Sequence, residues 1–442
     1  MTNLTIIGAG TMGQYTGRAL APKANLTYFD PYQSQEAIEE ALGGMKFKFA
    51  TNLETAVGNA DVVVFCVPTD KVSSVMSEAL PYCRSGTLIS GQTSRKTPEA
   101  KSFDRYAKKN PSSGLEMVTI HTMANPALTD VSNEILGIIR HRASDRAYER
   151  ALELYGDMST HIEEFIDVEE HDLMTANTQI NTSRTFLAIA SSFARAGCFP
   201  WLEESYGSSL DMMKFSMAMR AASQRPHIYW NIWSGSRQGK EIVSGAIETE
   251  NELYENIAGN MLPLYFHMAM QAREKIYGPD FGKAILDDLA MAQLSDNLNI
   301  KPNSHFSIIS WFVSEAVSGR NPFGSLKATT PMHTSLLCMA DYLFNNKALL
   351  EESLAAPFKD PKLKVEDLVY YTERLAWAQA LLYGVKSLYE SKHREMREVL
   401  EEKEYASRVK EHIDLSKKVV QICRERMSAA MESGLIAQRL QT

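Results

Sequence analysis

The sequence has no cysteine pattern of the kind that holds a metal ion or a disulfide framework. Its 442 residues include five cysteines, which are widely scattered and form no C-x-x-C pair. They are Cys66, Cys83, Cys198, Cys338 and Cys423. Most stand in apolar surroundings, which is typical of buried free thiols in a reducing compartment. We therefore expect no metal site and no disulfide.

The sequence also lacks a net positive charge and long apolar runs. The formal net charge is −8, so the chain lacks the basic footprint of a protein that binds nucleic acid or an anionic membrane surface. No apolar run reaches the roughly 18 residues that a membrane helix needs. The residues before the first predicted strand leave no room for a signal peptide. Together these absences predict a cytoplasmic protein whose partner is a small molecule.

What the sequence does contain is a glycine-rich turn between a short apolar strand and a helix. The pattern G-x-G-x-x-G falls on Gly8, Gly10 and Gly13. In this motif the first glycine permits a tight turn, the second lets a pyrophosphate approach the backbone, and the third lets the helix pack close to the strand. The helix N-terminus adds free N–H groups for a diphosphate. The turn predicts a dinucleotide site formed by Gly8, Ala9, Gly10, Thr11, Met12 and Gly13.

The next two strands supply the rest of the predicted cofactor site. The second strand ends on Asp30, twenty-two residues after Gly8, where a carboxylate can hydrogen-bond an adenosine ribose. A 2′-phosphate would meet a like charge there, so Asp30 favours NAD over NADP. The third strand ends at Val67, Pro68 and Thr69, which we expect to line the same site.

The pattern of apolar residues changes part-way along the chain. Residues 1–160 alternate strand and helix patterns, which predicts a mostly parallel sheet with covering helices. From about residue 168 the pattern is helical. We predict an α/β Rossmann-type dinucleotide-binding domain over residues 1–160 and an all-α region after it. That region is divided into a helical substrate and dimerisation domain over 161–300 and a helical C-terminal extension packed on it over 301–442.

The ends of the later strands carry residues suited to acid–base chemistry. Ser94 and Lys96 follow the fourth predicted strand, and His121 follows the fifth. Ligands of open α/β sheets bind at the carboxyl ends of the strands, so we expect these side chains beside the nicotinamide. A neutral imidazole can take the proton of a hydroxyl as hydride leaves the same carbon. The arrangement predicts oxidation of a carbon that bears a hydroxyl group.

The helical part adds polar residues in apolar surroundings. Thr175, Gln179 and Ser183 stand at i, i+4 and i+8, which predicts one polar stripe along a helix. Arg220 is surrounded by apolar residues and therefore needs an anionic partner, either a carboxylate side chain or a substrate carboxylate.

Taken together, these segments resemble the prephenate and arogenate dehydrogenases of tyrosine biosynthesis, most of all the fungal single-activity prephenate dehydrogenases. The resemblance rests on the glycine turn, QTSRK at 92–96, HTM at 121–123 with Pro126, EHD at 170–172 with Gln179, and Arg220 with Tyr229. Residues 302–305 and 330–344 are similar to the fungal C-terminal extension. The segments follow one another in the same order over essentially the whole chain.

The resemblance implies an oxidative decarboxylation. Prephenate loses a hydride from its carbinol carbon and its ring carboxylate as carbon dioxide, which gives 4-hydroxyphenylpyruvate. Carried over by position, His121 is the base on the ring hydroxyl and Ser94 hydrogen-bonds the same hydroxyl. The fungal members imply NADP, whereas Asp30 favours NAD, and the family implies a homodimer. The resemblance assigns the substrate site to Arg220, Lys96, Gln179 and Ser183.

The sequence departs from the family in two places, and these leave alternatives open. Ser183 stands where the family usually has a histidine, and Asn125 precedes Pro126 where a glycine is common. Arogenate or 4-amino-4-deoxyprephenate could therefore replace prephenate, or the chain could be a catalytically silent dinucleotide sensor. A β-hydroxyacid dehydrogenase is disfavoured, because the long central helix lacks the lysine that those enzymes use.

Overall fold

The computed structural model describes residues 1–123, 125–127, 133–197, 199–202, 207–295 and 302–441. It divides into two compact units, Met1–Thr175 and Ala176–Thr442. The predicted limits at residues 160 and 300 stay predictions. Four cysteines in the described residues are free thiols, and Cys198 lies outside those residues.

Within its described residues, the first unit is built on a sheet of eight strands. They are β1 (Thr2–Ile7), β2 (Ala24–Phe29), β3 (Lys48–Phe49), β4 (Val62–Phe65), β5 (Leu88–Gly91), β6 (Glu116–Thr122), β7 (Ile135–Arg142) and β8 (His161–Phe165). Their order across the sheet is β3-β2-β1-β4-β5-β6-β7-β8. All neighbouring pairs are parallel except β6 and β7, which are antiparallel. The predicted mostly parallel sheet is confirmed.

Side chains of the central strands alternate between two apolar cores. In β4, Val62 and Val64 belong to one core, whereas Val63 and Phe65 belong to the other. Successive side chains of a strand point to opposite faces, so the two cores lie on opposite faces of the sheet. Burial on both faces explains why β4 is an uninterrupted apolar run in the sequence.

Helices connect these strands. They are α1 (Thr11–Leu20), α2 (Gln35–Leu42), α3 (Leu53–Val57), α4 (Thr69–Ala79), α5 (Thr97–Lys109), α6 (Asp145–Tyr155) and α7 (Val168–Thr175). The sequence prediction missed β3 and β8. Both lie at the edges of the sheet, where short or charged strands are common because they discourage pairing with other chains. Neither therefore carries the apolar run by which the inner strands are recognised.

Within its described residues the second unit contains helices and loops and no strand. The α-helices are α8 (Asn181–Ala196), α9 (Ser209–Ala222), α10 (Pro226–Trp233), α11 (Arg237–Ala258), α12 (Leu262–Tyr277), α13 (Asp288–Ala292), α14 (Phe306–Val317), α15 (Pro331–Asn345), α16 (Lys347–Lys359), α17 (Pro361–Tyr383), α18 (Lys386–Leu400), α19 (Ala406–Glu432) and α20 (Leu435–Gln441). A 3₁₀ segment covers Pro322–Ala328. In the part of the chain that is described, none of the helices has the length and apolar character required to cross a membrane. The predicted all-α region is confirmed.

The helix predicted over residues 169–193 is interrupted. The structure has α7, then a π-helical turn over Ala176–Ile180, and then α8. A π turn is wider than an α turn, so residues on either side of it lose the alignment of the i, i+4 spacing. Gln179 lies within this turn, so the regular α-helical spacing that the sequence predicted from Thr175 to Ser183 is interrupted.

A buried charge network ties three helices of the second unit together. Glu250 of α11 accepts hydrogen bonds from Arg184 of α8 at 2.6 Å and from Arg374 of α17 at 2.7 Å. All three side chains are about 1% exposed. The Oδ1 atom of Asn181 accepts from the same two guanidinium groups at 3.0 and 2.8 Å. We call these four residues the Glu250 network.

Candidate active site

The glycine turn after β1 is shaped by close backbone packing. Gly8 has φ of +97°, and a Cβ there would lie 2.5 Å from the carbonyl oxygen of Cys66. A Cβ on Gly13 would lie 2.0 Å from the carbonyl oxygen of Gly8. Gly10, by contrast, has no neighbouring atom within 4 Å of its Cβ position. Two glycines are thus needed for packing, and the third leaves open space at the backbone.

That open space lies at the start of α1, which has no side-chain cap. Gly10 is the N-cap residue, and no side chain bonds the first N–H groups of α1. A helix N-terminus with uncapped N–H groups and a partial positive charge is suited to a pyrophosphate. The predicted residues Ala9, Thr11 and Met12 belong to this segment. The turn therefore fits a dinucleotide cofactor.

Asp30 is fixed against the turn. Its Oδ2 accepts the N–H of Ala9 at 2.8 Å, and its Oδ1 accepts the N–H of Tyr32 at 2.8 Å. A carboxylate oxygen can accept more than one hydrogen bond, so both retain capacity for a ribose hydroxyl. Since β4 pairs with β1 in parallel, the segment Val67, Pro68 and Thr69 after β4 lies at the same edge of the sheet.

His121 in β6 is the first member of a buried hydrogen-bonded chain of three side chains. Its Nδ1 lies 2.9 Å from Nε2 of His171 in α7. Nδ1 of His171 lies 2.9 Å from Oδ1 of Asp172. The two histidines are 3% and 0% exposed, and Asp172 is 4% exposed, so water does not interrupt the chain.

Asp172 also caps α5. Its carboxylate accepts the N–H of Lys96 at 2.7 Å, the N–H of Thr97 at 2.9 Å and the hydroxyl of Thr97 at 2.6 Å. Burial alone would raise the pKa of Asp172, but the hydrogen bonds from His171 and Thr97 outweigh it, and the pKa falls below its usual value. Asp172 is thus an ionised, acceptor-only carboxylate.

The ionised carboxylate determines the tautomers along the chain. Because Asp172 only accepts, His171 carries its proton on Nδ1 and presents a lone pair at Nε2. His121 must then donate from Nδ1, which leaves the lone pair of His121 on Nε2. That atom has no hydrogen-bond partner among the described residues. Nε2 of His121 is therefore available to accept a proton from a bound molecule.

Burial keeps both imidazoles neutral. It is the main reason that the pKa of His121 lies well below its ordinary value, and His171 and Lys96 lower it further. Burial also lowers the pKa of His171, although Asp172 opposes the effect. A neutral His121 is the protonation state that a general base requires.

Lys96 has the surroundings of a structural ion pair. Its buried ammonium donates to the carbonyl oxygen of Gly91 at 3.0 Å and to Oγ1 of Thr119 at 3.2 Å, and it lies 3.3 Å from Oε2 of Glu99. It also donates to the carbonyl oxygen of Ile120. These contacts hold the ends of β5 and β6 together. The geometry thus favours a structural role over the predicted substrate contact.

Ser94 follows the carboxyl end of β5, and His121 lies at the carboxyl end of the neighbouring parallel strand β6. Ser94 is half-buried in the loop between β5, which ends at Gly91, and α5. Gln92 in this loop accepts the N–H of Thr122 at 3.0 Å and donates to its hydroxyl at 3.1 Å. This bond pair ties the loop that carries Ser94 to the strand end that carries His121.

Three predicted substrate residues belong to the second unit. Gln179 lies in the π-helical turn, and Arg220 is buried near the end of α9. The hydroxyl of Ser183 donates to the carbonyl oxygen of Gln179 at 2.6 Å and accepts the indole N–H of Trp233 at 2.9 Å. Trp233 is fully buried. The Ser183 hydroxyl is therefore used in packing, which departs from its predicted substrate role.

Sequence reasoning missed the parts that His171, Asp172 and Glu99 play. The pair His171-Asp172 was visible only as a polar start to a helix, and its partner His121 lies 50 residues away. The signal that could have pointed to Glu99 is its i, i+3 spacing from Lys96. In the described ranges, no group of three or more His, Cys, Asp or Glu side chains could hold a metal ion.

Both parts of the chain match families of known proteins. A family described as the TYR1-like 6-phosphogluconate dehydrogenase C-terminal domain matches residues 180–424, more than half of the chain. The chain belongs to this family. The NAD binding domain of 6-phosphogluconate dehydrogenase matches residues 3–119, which contain the glycine turn and Asp30. The two matches fall in the α/β part and the helical part of the chain, as the fold requires.

Relatives of similar length are named as dehydrogenases. The chain is 24% identical over 412 residues to the prephenate dehydrogenase (NADP+) of Saccharomyces cerevisiae, covering 90% of this chain and 89% of that one. It is 22% identical over 385 residues to a probable prephenate dehydrogenase (NADP+) of Schizosaccharomyces pombe, covering 85% and 88%. A solved prephenate dehydrogenase from A. aeolicus has a TM-score of 0.48 at 15% identity, covering 60% of this chain and 94% of that one.

Proposed function

We propose that this chain is an NAD(P)-dependent prephenate dehydrogenase, which converts prephenate to 4-hydroxyphenylpyruvate and carbon dioxide. The observation that carries the proposal is the hydrogen-bonded chain from Asp172 through His171 to His121, which leaves a neutral imidazole with a free lone pair at Nε2. The family membership and the names of the two yeast relatives support the same reaction.

His121 is the general base in this proposal. Its Nε2 takes the proton of the ring hydroxyl, so that the oxygen forms a carbonyl as the carbinol carbon loses hydride. A bound nicotinamide supplies the hydride acceptor. The bond to the ring carboxylate then breaks, carbon dioxide leaves, and the bonding electrons make the ring aromatic. The imidazolium returns its proton to the phenolate oxygen, so His121 ends neutral and the atoms balance.

His171 and Asp172 are positioning residues. They hold the proton of His121 on Nδ1 and so direct its lone pair to Nε2. They also place an ionised carboxylate at the far end of the chain, which stabilises the positive charge that His121 carries after it takes the proton. Ser94, at the same sheet edge, is proposed to hydrogen-bond the hydroxyl that reacts.

For the second unit we propose that Arg220 binds a substrate carboxylate and that Gln179 is a further substrate contact, as the family resemblance implies. A guanidinium is well suited to a carboxylate, because it presents a planar set of donors. The same resemblance supports a homodimer as the working form, which sedimentation of the purified chain would test.

Two observations point in opposite directions on the cofactor. Asp30 is fixed at the glycine turn by two backbone N–H groups, and its charge disfavours a 2′-phosphate. The two yeast relatives are named for NADP+. We propose that the Asp30 side chain determines the choice. If so, Asp30→Ser raises the NADP to NAD ratio of kcat/KM at least about tenfold, which corresponds to about 1.4 kcal/mol.

The decisive experiment is a grid of substrates against cofactors. Prephenate, arogenate and 4-amino-4-deoxyprephenate are each tested with NAD and with NADP, and absorbance of the reduced nicotinamide is recorded. Turnover with prephenate supports the proposal. Turnover with an analogue alone moves the function to that analogue, in keeping with Ser183 in place of a histidine. No turnover with cofactor still bound would support a sensor instead.

A further inference from the structure

Tyr32 is an exposed aromatic residue beside the predicted cofactor site. It follows the carboxyl end of β2, two residues after Asp30, and it is 94% exposed. Of the large apolar and aromatic residues that the structure describes, it is the most exposed. Its ring belongs to none of the apolar cores within the described ranges, so it adds nothing to the packing of the first unit.

Tyr28 of the same strand shows the contacts that a structural tyrosine makes in this unit. It is fully buried, and its ring lies edge-on to Phe47 with 5.3 Å between the ring centroids. Its hydroxyl donates to the carbonyl oxygen of Gly13 at 3.0 Å. The Tyr32 side chain makes neither kind of contact with any residue that the structure describes. Packing therefore accounts for Tyr28 and leaves Tyr32 without a structural role.

The backbone that carries the Tyr32 ring is fixed relative to the glycine turn. One oxygen of Asp30 accepts the N–H of Tyr32, and the other accepts the N–H of Ala9, both at 2.8 Å. The far end of the loop is held by Ser34, whose hydroxyl oxygen accepts the N–H of Ala37 at 3.3 Å and caps α2. The exposed ring is thus presented from a short loop that is held at both ends.

The chemistry of the cofactor directs its adenine base toward this loop. The pyrophosphate fits the open start of α1, and Asp30 stands where a carboxylate bonds the adenosine ribose. The base and the 5′-phosphate are attached on either side of the ribose ring oxygen, so the base points away from the pyrophosphate. The residues that come directly after Asp30 in the chain are therefore placed to meet the base.

We propose that the Tyr32 ring stacks on the adenine base of the bound dinucleotide. The proposal rests on the NAD(P) cofactor of the function proposed above. Stacking suits this loop, because a base and an aromatic ring pair through their flat faces without a polar partner. Residues 30–36 contain no lysine or arginine, so Tyr32 is the only aromatic or guanidinium side chain that the segment offers. NAD and NADP carry the same adenine, so the role does not depend on the choice between them.

The test is calorimetric titration of the purified full-length chain with ADP-ribose, in the absence of substrate. This probe carries the adenine, the ribose and the diphosphate but no nicotinamide. NAD and NADP are titrated in parallel. Tyr32→Ala should weaken the binding of ADP-ribose and of both dinucleotides at least about fivefold, because one stack between a base and an aromatic ring is lost.

Two further variants show whether the ring itself is responsible. Tyr32→Phe keeps both faces of the ring and lacks only the hydroxyl, so it should bind ADP-ribose within about twofold of the unaltered chain. Tyr383→Ala removes another exposed tyrosine, at the end of α17, and should leave binding unchanged. Thermal unfolding without ligand checks each variant. Tyr32→Ala should unfold at the temperature of the unaltered chain, since its ring packs against none of the apolar cores within the described ranges.

Three outcomes would overturn the proposal. They are equal affinity for ADP-ribose in Tyr32→Ala and the unaltered chain, a loss in Tyr32→Phe as large as that in Tyr32→Ala, and no binding of ADP-ribose or either dinucleotide by the unaltered chain. The last outcome would also remove the proposed function, which needs the cofactor, whereas the first two would leave it standing. A blank substrate grid together with the expected ADP-ribose result would contradict the proposed reaction and leave the role of Tyr32 intact.

Discussion

Both units of the chain bury charged side chains, but they do so in different ways. In the first unit the hydrogen bonds run from Asp172 through His171 and end at Nε2 of His121, which has no partner among the described residues. In the second unit the Glu250 network joins two guanidinium groups to one carboxylate and one amide. The first arrangement leaves a reactive atom available, and the second joins helices.

The difference shows how buried polar groups can be sorted before any activity is known. A structural network binds elements together, as Lys96 and Glu99 do at the ends of β5 and β6. A catalytic arrangement orients one group at the carboxyl ends of the strands, where ligands of such sheets bind. By this criterion we propose that His121, at the end of β6, is catalytic, whereas the Glu250 network lies between packed helices and is structural.

The largest effect is expected when the Glu250 network loses its negative charge. Glu250→Gln removes the carboxylate that pairs with both Arg184 and Arg374, which should lower the free energy of unfolding by about 3–5 kcal/mol. Denaturant unfolding measures this change. Glu241→Gln is the control, since its pair with Arg237 is exposed and should be worth less than about 0.5 kcal/mol. Equal losses in the two variants would show that the network is not the stabilising feature.

The next largest effect is expected at His121, the last of the three hydrogen-bonded side chains in the first unit. His121→Asn removes the base and should lower kcat at least about a hundredfold, because general base catalysis is lost. Cofactor binding, followed by fluorescence titration, should not change. His161→Asn, an exposed histidine of β8, is the control. Turnover that survives in His121→Asn would remove this residue from the mechanism.

A smaller effect tests whether His171 acts through His121. His171→Phe removes the acceptor for the Nδ1 proton and should lower kcat about tenfold, whereas His171→Gln retains a carbonyl acceptor and should recover part of it.

The pH profile separates this role from a merely structural one. The base must be neutral, and the pKa of His121 is lowered, so kcat/KM should fall only below the ordinary histidine value of about 6.5. His171→Phe removes the hydrogen-bond acceptor of the Nδ1 proton of His121, so the acid limb in this variant should shift. An unmoved limb would contradict the positioning role.

The smallest effect is expected at Ser183, and it tests whether this residue serves packing or substrate binding. Ser183→Ala leaves the indole N–H of Trp233 without its acceptor and should cost about 1 kcal/mol of stability, with KM unchanged. Ser192→Ala on the same helix is the control, since its hydroxyl bonds only its own helix. A raised KM without loss of stability would return Ser183 to the substrate site.

The sequence could predict features that depend on neighbouring residues. The inner strands were recognisable because strands buried on both faces are apolar throughout. The glycine turn was recognisable because close packing at Gly8 and Gly13 excludes any side chain. His121 was found because it ends an apolar run, and residues at strand ends line ligand sites in such sheets.

The sequence did not predict features that depend on contacts between distant residues. His171 gains its role from a contact with His121 across 50 residues, and Ser183 loses its predicted role to Trp233, also 50 residues away. Lys96 was placed with the substrate because the family resemblance implied that role. The tertiary contacts that bury its ammonium were not visible in the sequence.

The cap that Asp172 places on α5 limits how this active site can change. The same carboxylate orients His171 and bonds the backbone of Lys96 and Thr97, at the end of the loop that carries Ser94. A mutation that shifts this loop to admit a bulkier ring would also displace His121, because Asp172 and His171 connect the two. Ser94 and His121 are therefore mechanically coupled, and new substrates should be reached more readily by altering residues that do not touch Asp172.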